Sequence, residues 1–167
     1  MDRPLARELG DRWMAAWNDD DVDALLELVT DDVVYSDPAW DGELHGRAGV
    51  RTFYEFCGRA MPDMRFSEPM GMFFPEEGDR MIVPWRMTAT FAGPFEPPGF
   101  APTGDRIEVD GIDVWELRGD RACRYWAYYD AAGIARQVGT LPPRGSRAER
   151  ASVRLQRLLA KRRRRAM

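Results

Sequence analysis

The sequence is poor in the residues that many chemistries require. Its 167 residues hold one histidine, His45, and two cysteines, Cys57 and Cys123. Two cysteines without ligand-like spacing cannot build a disulfide framework, and with a lone histidine they do not make a structural zinc site. They are expected as buried thiols that pack as small apolar side chains. Lys161 is the single lysine among 24 basic residues. No run approaches the roughly 18 apolar residues of a membrane span, and the N-terminus lacks the basic-then-apolar layout of a signal peptide. A cytoplasmic protein is therefore expected. There is no Gly-rich phosphate loop, no Ser-His-Asp order and no metal-ligand cluster. Neither a metal nor an organic cofactor is expected.

What the chain does hold is a globular composition, 44% hydrophobic and 11% aromatic, enough to bury a core. The net charge of −4 hides a division. Residues 1–143 carry 14 basic and 27 acidic side chains, whereas residues 144–167 carry 10 basic ones and Glu149 as their one acid. A domain over 1–143 and a separate basic tail over 144–167 are expected.

Periodicity orders the domain. Asp2 followed by Pro4 marks a helix start, and Leu5, Leu9, Trp13 and Trp17 recur at helical spacing. Asn18-Asp19-Asp20-Asp21 ends that helix and caps a short second one carrying Leu25, Leu26 and Val29. A strand-like run, Val33-Val34-Tyr35, stops at Asp37-Pro38, and a loop follows from Ala39 to Gly46. A third helix with Val50, Phe53, Tyr54 and Cys57 on its apolar face ends at Pro62. Four β-rich runs come next, over 64–74, 80–91, 106–117 and 121–129. Glu76-Glu77-Gly78-Asp79 and Arg118-Gly119-Asp120 read as hairpin turns. Residues 93–104, with four prolines and three glycines, form an irregular loop of the length used for lids and binding loops. Helices followed by an antiparallel meander make an α+β pattern.

Three strings, in this order, carry a family resemblance. They are Tyr35-Ser36-Asp37-Pro38 followed by His45-Gly46-Arg47; Ala101-Pro102-Thr103-Gly104 leading into Val109-Asp110-Gly111-Ile112-Asp113; and Tyr129-Asp130 with Gln137-Val138-Gly139. Together with the element order they make residues 5–142 resemble the nuclear transport factor 2-like cone fold, and within it the SnoaL-like polyketide cyclase branch. The resemblance implies a curved, mixed sheet wrapped around the N-terminal helices, an internal pocket for an apolar small molecule, and a homodimer through the outer sheet face. It leaves the reaction open, because the superfamily spans isomerases, cyclases, epoxide hydrolases, hydratases and plain binding modules.

Asp37 is the sharpest candidate. Residues two apart in a strand share a face, so Tyr35 and Asp37 point the same way. By resemblance, Asp37 stands where the ketosteroid-isomerase branch has its general base, and a carboxylate in an apolar pocket has the raised pKa such a base needs. A loop-capping Asp before Pro is the competing reading. Asp113 comes second. It lies between Ile112 and Val114, on the face shared with Gly111 and Trp115, where an acid must be protonated or paired. By resemblance it matches the protonated aspartate that donates to the oxyanion in ketosteroid isomerase; a place on the solvated sheet face is the alternative.

The departures from the family pattern are informative. The isomerase oxyanion tyrosine falls at Trp13, which offers one indole N–H, and the acid of the cyclases and limonene-epoxide-type hydrolases falls at Ala127. His45 is read as positioning the third helix and Asp130 as structural. Trp13, Trp17, Tyr35, Phe53, Trp85 and Trp115 are the expected lining of the cone, and Tyr128, which shares a face with Trp126, is placed among the ligand contacts. Arg86 is placed among the ligand contacts too; if inward it needs Asp113 or Asp37 as partner, and an outward, solvated Arg86 is equally consistent.

The tail has Leu155, Leu158 and Leu159 as a narrow apolar stripe on a helix from about Arg147, with Arg154, Arg157 and residues 161–165 around and beyond it. Such a helix can meet nucleic acid, an anionic membrane surface, an acidic protein face or the chain's own dimer. Three functions follow: an enzyme moving a proton on an apolar carbonyl compound by isomerisation or cyclisation, a non-catalytic binder of a hydrophobic molecule, or a dimeric scaffold acting through the tail.

Overall fold

Helical periodicity in the first third of the chain and alternation in the rest sort the elements into two layers. The computed structural model describes residues 3–74 and 78–165; Asp2 of the helix-start signal and Glu76-Glu77 of the first expected turn lie outside the described residues. The order is α1 (Arg3–Asn18), α2 (Val22–Glu27), β1 (Val29–Ser36), β2 (Glu43–His45), α3 (Gly46–Ala60), β3 (Arg65–Ser67), β4 (Arg80–Thr90), β5 (Arg106–Arg118), β6 (Arg121–Tyr129), α4 (Ala131–Gln137) and α5 (Arg147–Arg165). The strands form one curved sheet in the order β2-β1-β6-β5-β4-β3. β1 runs parallel to β6 and every other pairing is antiparallel. This is the expected α+β architecture with a mixed sheet.

Local chemistry sets the helix boundaries. Asp21 caps α2 by accepting from the Ala24 N–H at 2.9 Å, satisfying a donor that a helix start leaves unpaired. Asn18 closes α1 and grips β3 from its side chain, accepting from Phe66 N at 2.7 Å and donating to Phe66 O at 2.9 Å. α3 stops at Ala60, just before Pro62, whose ring forbids a continued helix. Its buried face carries Val50, Phe53, Tyr54, Phe56 and Cys57.

Three boundaries differ from expectation. Val29 opens β1 instead of ending α2, and Glu43–His45 forms an edge strand inside the expected loop. The run over 64–74 shrinks to Arg65–Ser67, with Phe73 returning only as an isolated bridge to Ile82. Pro69 offers no N–H to a ladder, and Gly71, at φ +84°, takes a left-handed conformation that ends strand geometry.

Alternation along β4, β5 and β6 decides what the helices cover. Met81, Val83, Trp85, Met87 and Ala89 of β4 point inward and are buried, as are Ile107, Val109, Asp113, Trp115 and Leu117 of β5. Each fully buried large side chain is worth about 1.5–3 kcal/mol relative to exposure. Gly111 faces Trp85 in register, and a Cβ there would lie 2.4 Å from the indole ring. Gly111→Ala is therefore expected to displace Trp85 and cost about 1–3 kcal/mol. Urea unfolding checks this; an unchanged midpoint would mean that the indole moves aside freely.

Candidate active site

Between the concave sheet face and α1 and α3 lies an apolar cavity of about 250 Å³. Its aromatic wall is built by contacts between elements. Tyr35 of β1 stacks on Tyr125 of β6 with ring centroids 4.3 Å apart and planes 9° apart, and Phe53 of α3 leans on Tyr35 at 5.1 Å. Trp13 lies 4.9 Å from Phe66, and Trp85 is 5.5 Å from Phe66 and 5.7 Å from Tyr129. The mouth comes from two further segments. One is the loop after β4, where Phe95 and Phe100 exchange backbone hydrogen bonds at 3.0 Å in both directions and Phe95 packs on Phe56. The other is α4, which presents Ala131, Ile134 and Ala135.

Two carboxyls line this cavity in different settings. Asp37, at the end of β1, accepts on Oδ1 from the Ala39 N–H at 2.7 Å and the Tyr129 hydroxyl at 2.6 Å. It therefore closes the turn before Pro38 and faces the cavity at once. Burial pushes its pKa up, with the Tyr129 and Ala39 hydrogen bonds working against that rise. Asp113, in the middle of β5, has no exposed surface at all (0%). The Trp85 indole N–H donates to its Oδ1 at 2.8 Å, and its Oδ2 is hydrogen-bonded to the Tyr125 hydroxyl. Burial holds its pKa well above the ordinary carboxylate range; these two bonds oppose the shift and the charge of Asp37 adds to it. With neutral hydrogen-bond partners only, burial favours the protonated form of Asp113. The phenols of Tyr35, Tyr125 and Tyr129 are also pushed up, by burial first and next by a neighbouring acid, Asp37 for Tyr35 and Tyr129 and Asp113 for Tyr125.

The structure brings Trp13, Trp17, Tyr35, Asp37, Phe53, Trp85 and Asp113 to one cavity. Three expected contacts are corrected. Arg86 belongs to the opposite parity of β4 and bonds to Asp110 on the outer face, Nε to Oδ1 at 2.6 Å and Nη2 to Oδ2 at 2.9 Å. Tyr128 is 54% exposed, opposite Ile112 on that same outer face, where Arg124 lies 5.1 Å from the Trp126 ring. Trp115 points inward but sits one inward position beyond Asp113, packed on Trp13 and Tyr125 in the closed core. His45 stands at the start of α3 without a side-chain cap bond, and Asp130 caps α4 through the Gly133 N–H at 2.7 Å.

Sequence reading missed Tyr125, Tyr129 and α4. The signal for the tyrosines was present, because they flank Ala127 at two-residue spacing and so share its face. Ala127 itself lies in register with Asp113 and lines the cavity. α4 is held over the mouth by Gln137, whose amide bonds to both backbone groups of Glu108, at 2.8 and 2.9 Å. Cys57 is buried at the cavity wall and Cys123 is half-buried in β6. Among the described residues, no three His, Cys, Asp or Glu side chains come together as a metal-binding group. No helix among them is long and apolar enough to cross a membrane.

The SnoaL-like domain family model matches residues 11–125, and no curated protein matches the chain. Among solved structures, TsrD of Streptomyces laurentii is 23% identical with a TM-score of 0.72, covering 84% of this chain and 99% of its own. AclR of Streptomyces galilaeus, a proposed hydroxylase, is 22% identical with a TM-score of 0.73, covering 97% and 98%. A proposed polyketide cyclase of Pseudomonas putida is 20% identical with a TM-score of 0.71, covering 80% and 97%. At these identities the likeness is one of fold, the nuclear transport factor 2-like cone.

Proposed function

The chain belongs to the SnoaL-like domain family, and from that premise we propose that it catalyses cofactor-free proton transfer on an apolar carbonyl compound. The fold is of the cyclase and isomerase type. The observation that carries the finer reading is the pairing of Asp37 and Asp113 in one apolar cavity with opposite settings. Both bonds to Asp37 fall on Oδ1, which leaves Oδ2 to take a proton from the carbon next to the carbonyl. The C–H electron pair moves toward the carbonyl oxygen, giving an enolate. Neutral Asp113 keeps its proton in the bond to Tyr125 and leaves the tyrosine O–H to donate toward that oxygen. Asp113 is then a positioning residue behind Tyr125, and preorganised donors of this kind stabilise developing charge. In a β,γ-unsaturated substrate the enolate extends over the double bond, and return of the proton from Asp37 to the γ-carbon completes an isomerisation. Attack of the enolate carbon on a second carbonyl of the same molecule, with the proton passing to the new alkoxide, completes a cyclisation.

Proton abstraction is measurable without the natural substrate. 2-Tetralone, a bicyclic ketone of suitable size, is expected to exchange its α-hydrogens faster in D₂O with the protein than with buffer alone, followed by proton NMR. No acceleration would defeat the reading. Tyr129→Phe should raise the Asp37 pKa further, because the lost hydrogen bond favoured the charged form. The acid limb of the exchange rate is then expected to move to higher pH, with a severalfold loss on that limb and little change above it.

Ala127, which stands opposite Asp113 where the cyclases resembled by this chain carry an acid, favours a second reading as a binder of hydrophobic molecules. Saturable 2-tetralone binding without exchange, unaffected when Asp37 and Asp113 are both replaced by Asn, would select it.

A further inference from the structure

α5 is built to stand as a helix with its middle turns exposed. Ser146 Oγ accepts from the Glu149 N–H at 3.0 Å, and Glu149 Oε2 accepts from the Gly145 N–H at 2.5 Å. That reciprocal cap satisfies the helix start from within. Glu149 in the first turn and the cations that close the sequence complement the helix dipole. Ala, Leu, Gln and Arg supply high helix propensity between these ends. Yet Leu155, Leu158 and Leu159 are 58%, 59% and 48% exposed, and from Arg150 to Leu159 every residue of the helix is exposed.

At about 3.6 residues per turn, Ala148, Ala151, Leu155, Leu158 and Leu159 fall on one side of α5. Arg150, Arg154, Arg157 and Lys161 form a ladder along one flank, and Arg162 and Arg163 border the stripe at its far end. A phosphate backbone would engage the cations and leave the leucines in water. An interfacial helix uses both, with leucines in the acyl boundary and long cationic side chains reaching the headgroups. We propose that α5 is a docking helix for an anionic phospholipid surface, lying in the interface plane. Ten basic residues against one acid in 144–167 match such a surface in sign. The acidic remainder of the chain opposes it weakly, since exposed charges more than about 10 Å away are screened at 0.1 M salt.

The full-length protein is expected to float with vesicles of phosphatidylcholine and phosphatidylglycerol, not with phosphatidylcholine alone, and to detach at high salt. Removing cations one at a time, by Arg154→Gln, Arg157→Gln and Lys161→Gln, should weaken association about fivefold each. Leu155→Gln, Leu158→Gln and Leu159→Gln together keep charge and helix propensity and should weaken it at least tenfold. Unchanged urea unfolding of these variants shows that the fold is retained. Binding of duplex DNA that ignores the leucine changes would overturn the proposal in favour of nucleic acid. Leucine-dependent self-association without flotation would overturn it in favour of a second copy of the chain, and absence of flotation from anionic vesicles overturns it outright.

Discussion

Asp37→Asn is expected to slow 2-tetralone exchange by about a hundred- to ten-thousandfold, the range over which a positioned general base contributes. The substitution is chosen because it removes basicity and little else. The amide oxygen of Asn still accepts from the Ala39 N–H and the Tyr129 hydroxyl, the two bonds that hold Asp37 now, so the turn before Pro38 is retained. The pH dependence supplies a second signature. Asp37 works as the carboxylate, and burial raises its pKa. The native rate should therefore climb with pH through a midpoint above the ordinary aspartate value of about 3.9 and level off beyond it. In the Asn variant that limb should vanish. A variant that exchanges as fast as the native protein, with native circular dichroism, would remove Asp37 from the chemistry.

The parts of this molecule that were legible in the sequence are those set by short-range rules. Helical spacing of Leu5, Leu9, Trp13 and Trp17 found the buried face of α1. Alternation placed Asp113 on the face of Gly111 and Trp115, which the structure makes the inner one, and two-residue spacing tied Tyr35 to Asp37. The same rule failed for Tyr128 because the last strand was anchored on the wrong parity. Trp126 and Tyr128 form a plausible aromatic face, and only the opposite residues, Tyr125, Ala127 and Tyr129, meet the helices. Composition cannot choose between two aromatic faces of one strand. The strand partners choose, although Ala127 had already been matched to the position of a family acid.

Longer-range features were hidden for a different reason. Whether Arg86 faces a buried carboxylate or the outer Asp110 depends on the β4–β5 register, and register is fixed by the whole sheet. The mouth of the cavity depends on where the loop carrying Phe95 and Phe100 returns, and on α4 being clipped to β5 by Gln137. α4 buries no residue of its own, so it carries no strong apolar stripe to announce it. The pocket was thus readable as a wall, and its opening was not.

Asp113 yields the sharpest stability test, because the pH slope separates an acid from an anion. The folded state holds it neutral while the unfolded chain ionises it above about pH 4. The unfolded state then binds fewer protons, so this residue makes stability fall as pH rises, by about 1.4 kcal/mol per unit, until its raised folded pKa is passed. Asp113→Asn should abolish that contribution. Its amide oxygen accepts from the Trp85 N–H and its amide hydrogens reach the Tyr125 oxygen, reproducing the neutral acid. The variant is expected to match the native protein near pH 4 and to exceed it by about 1 kcal/mol or more near pH 7. Asp113→Ala should do the reverse, losing about 2–4 kcal/mol as the indole N–H and the phenol oxygen lose their partner beside a new void. Urea unfolding of all three proteins at pH 5 and pH 8 decides the matter. If the gap between the native protein and the Asn variant stays constant across that interval, Asp113 is already ionised in the fold, and Tyr125 must spend its hydroxyl on the carboxylate instead of the ligand.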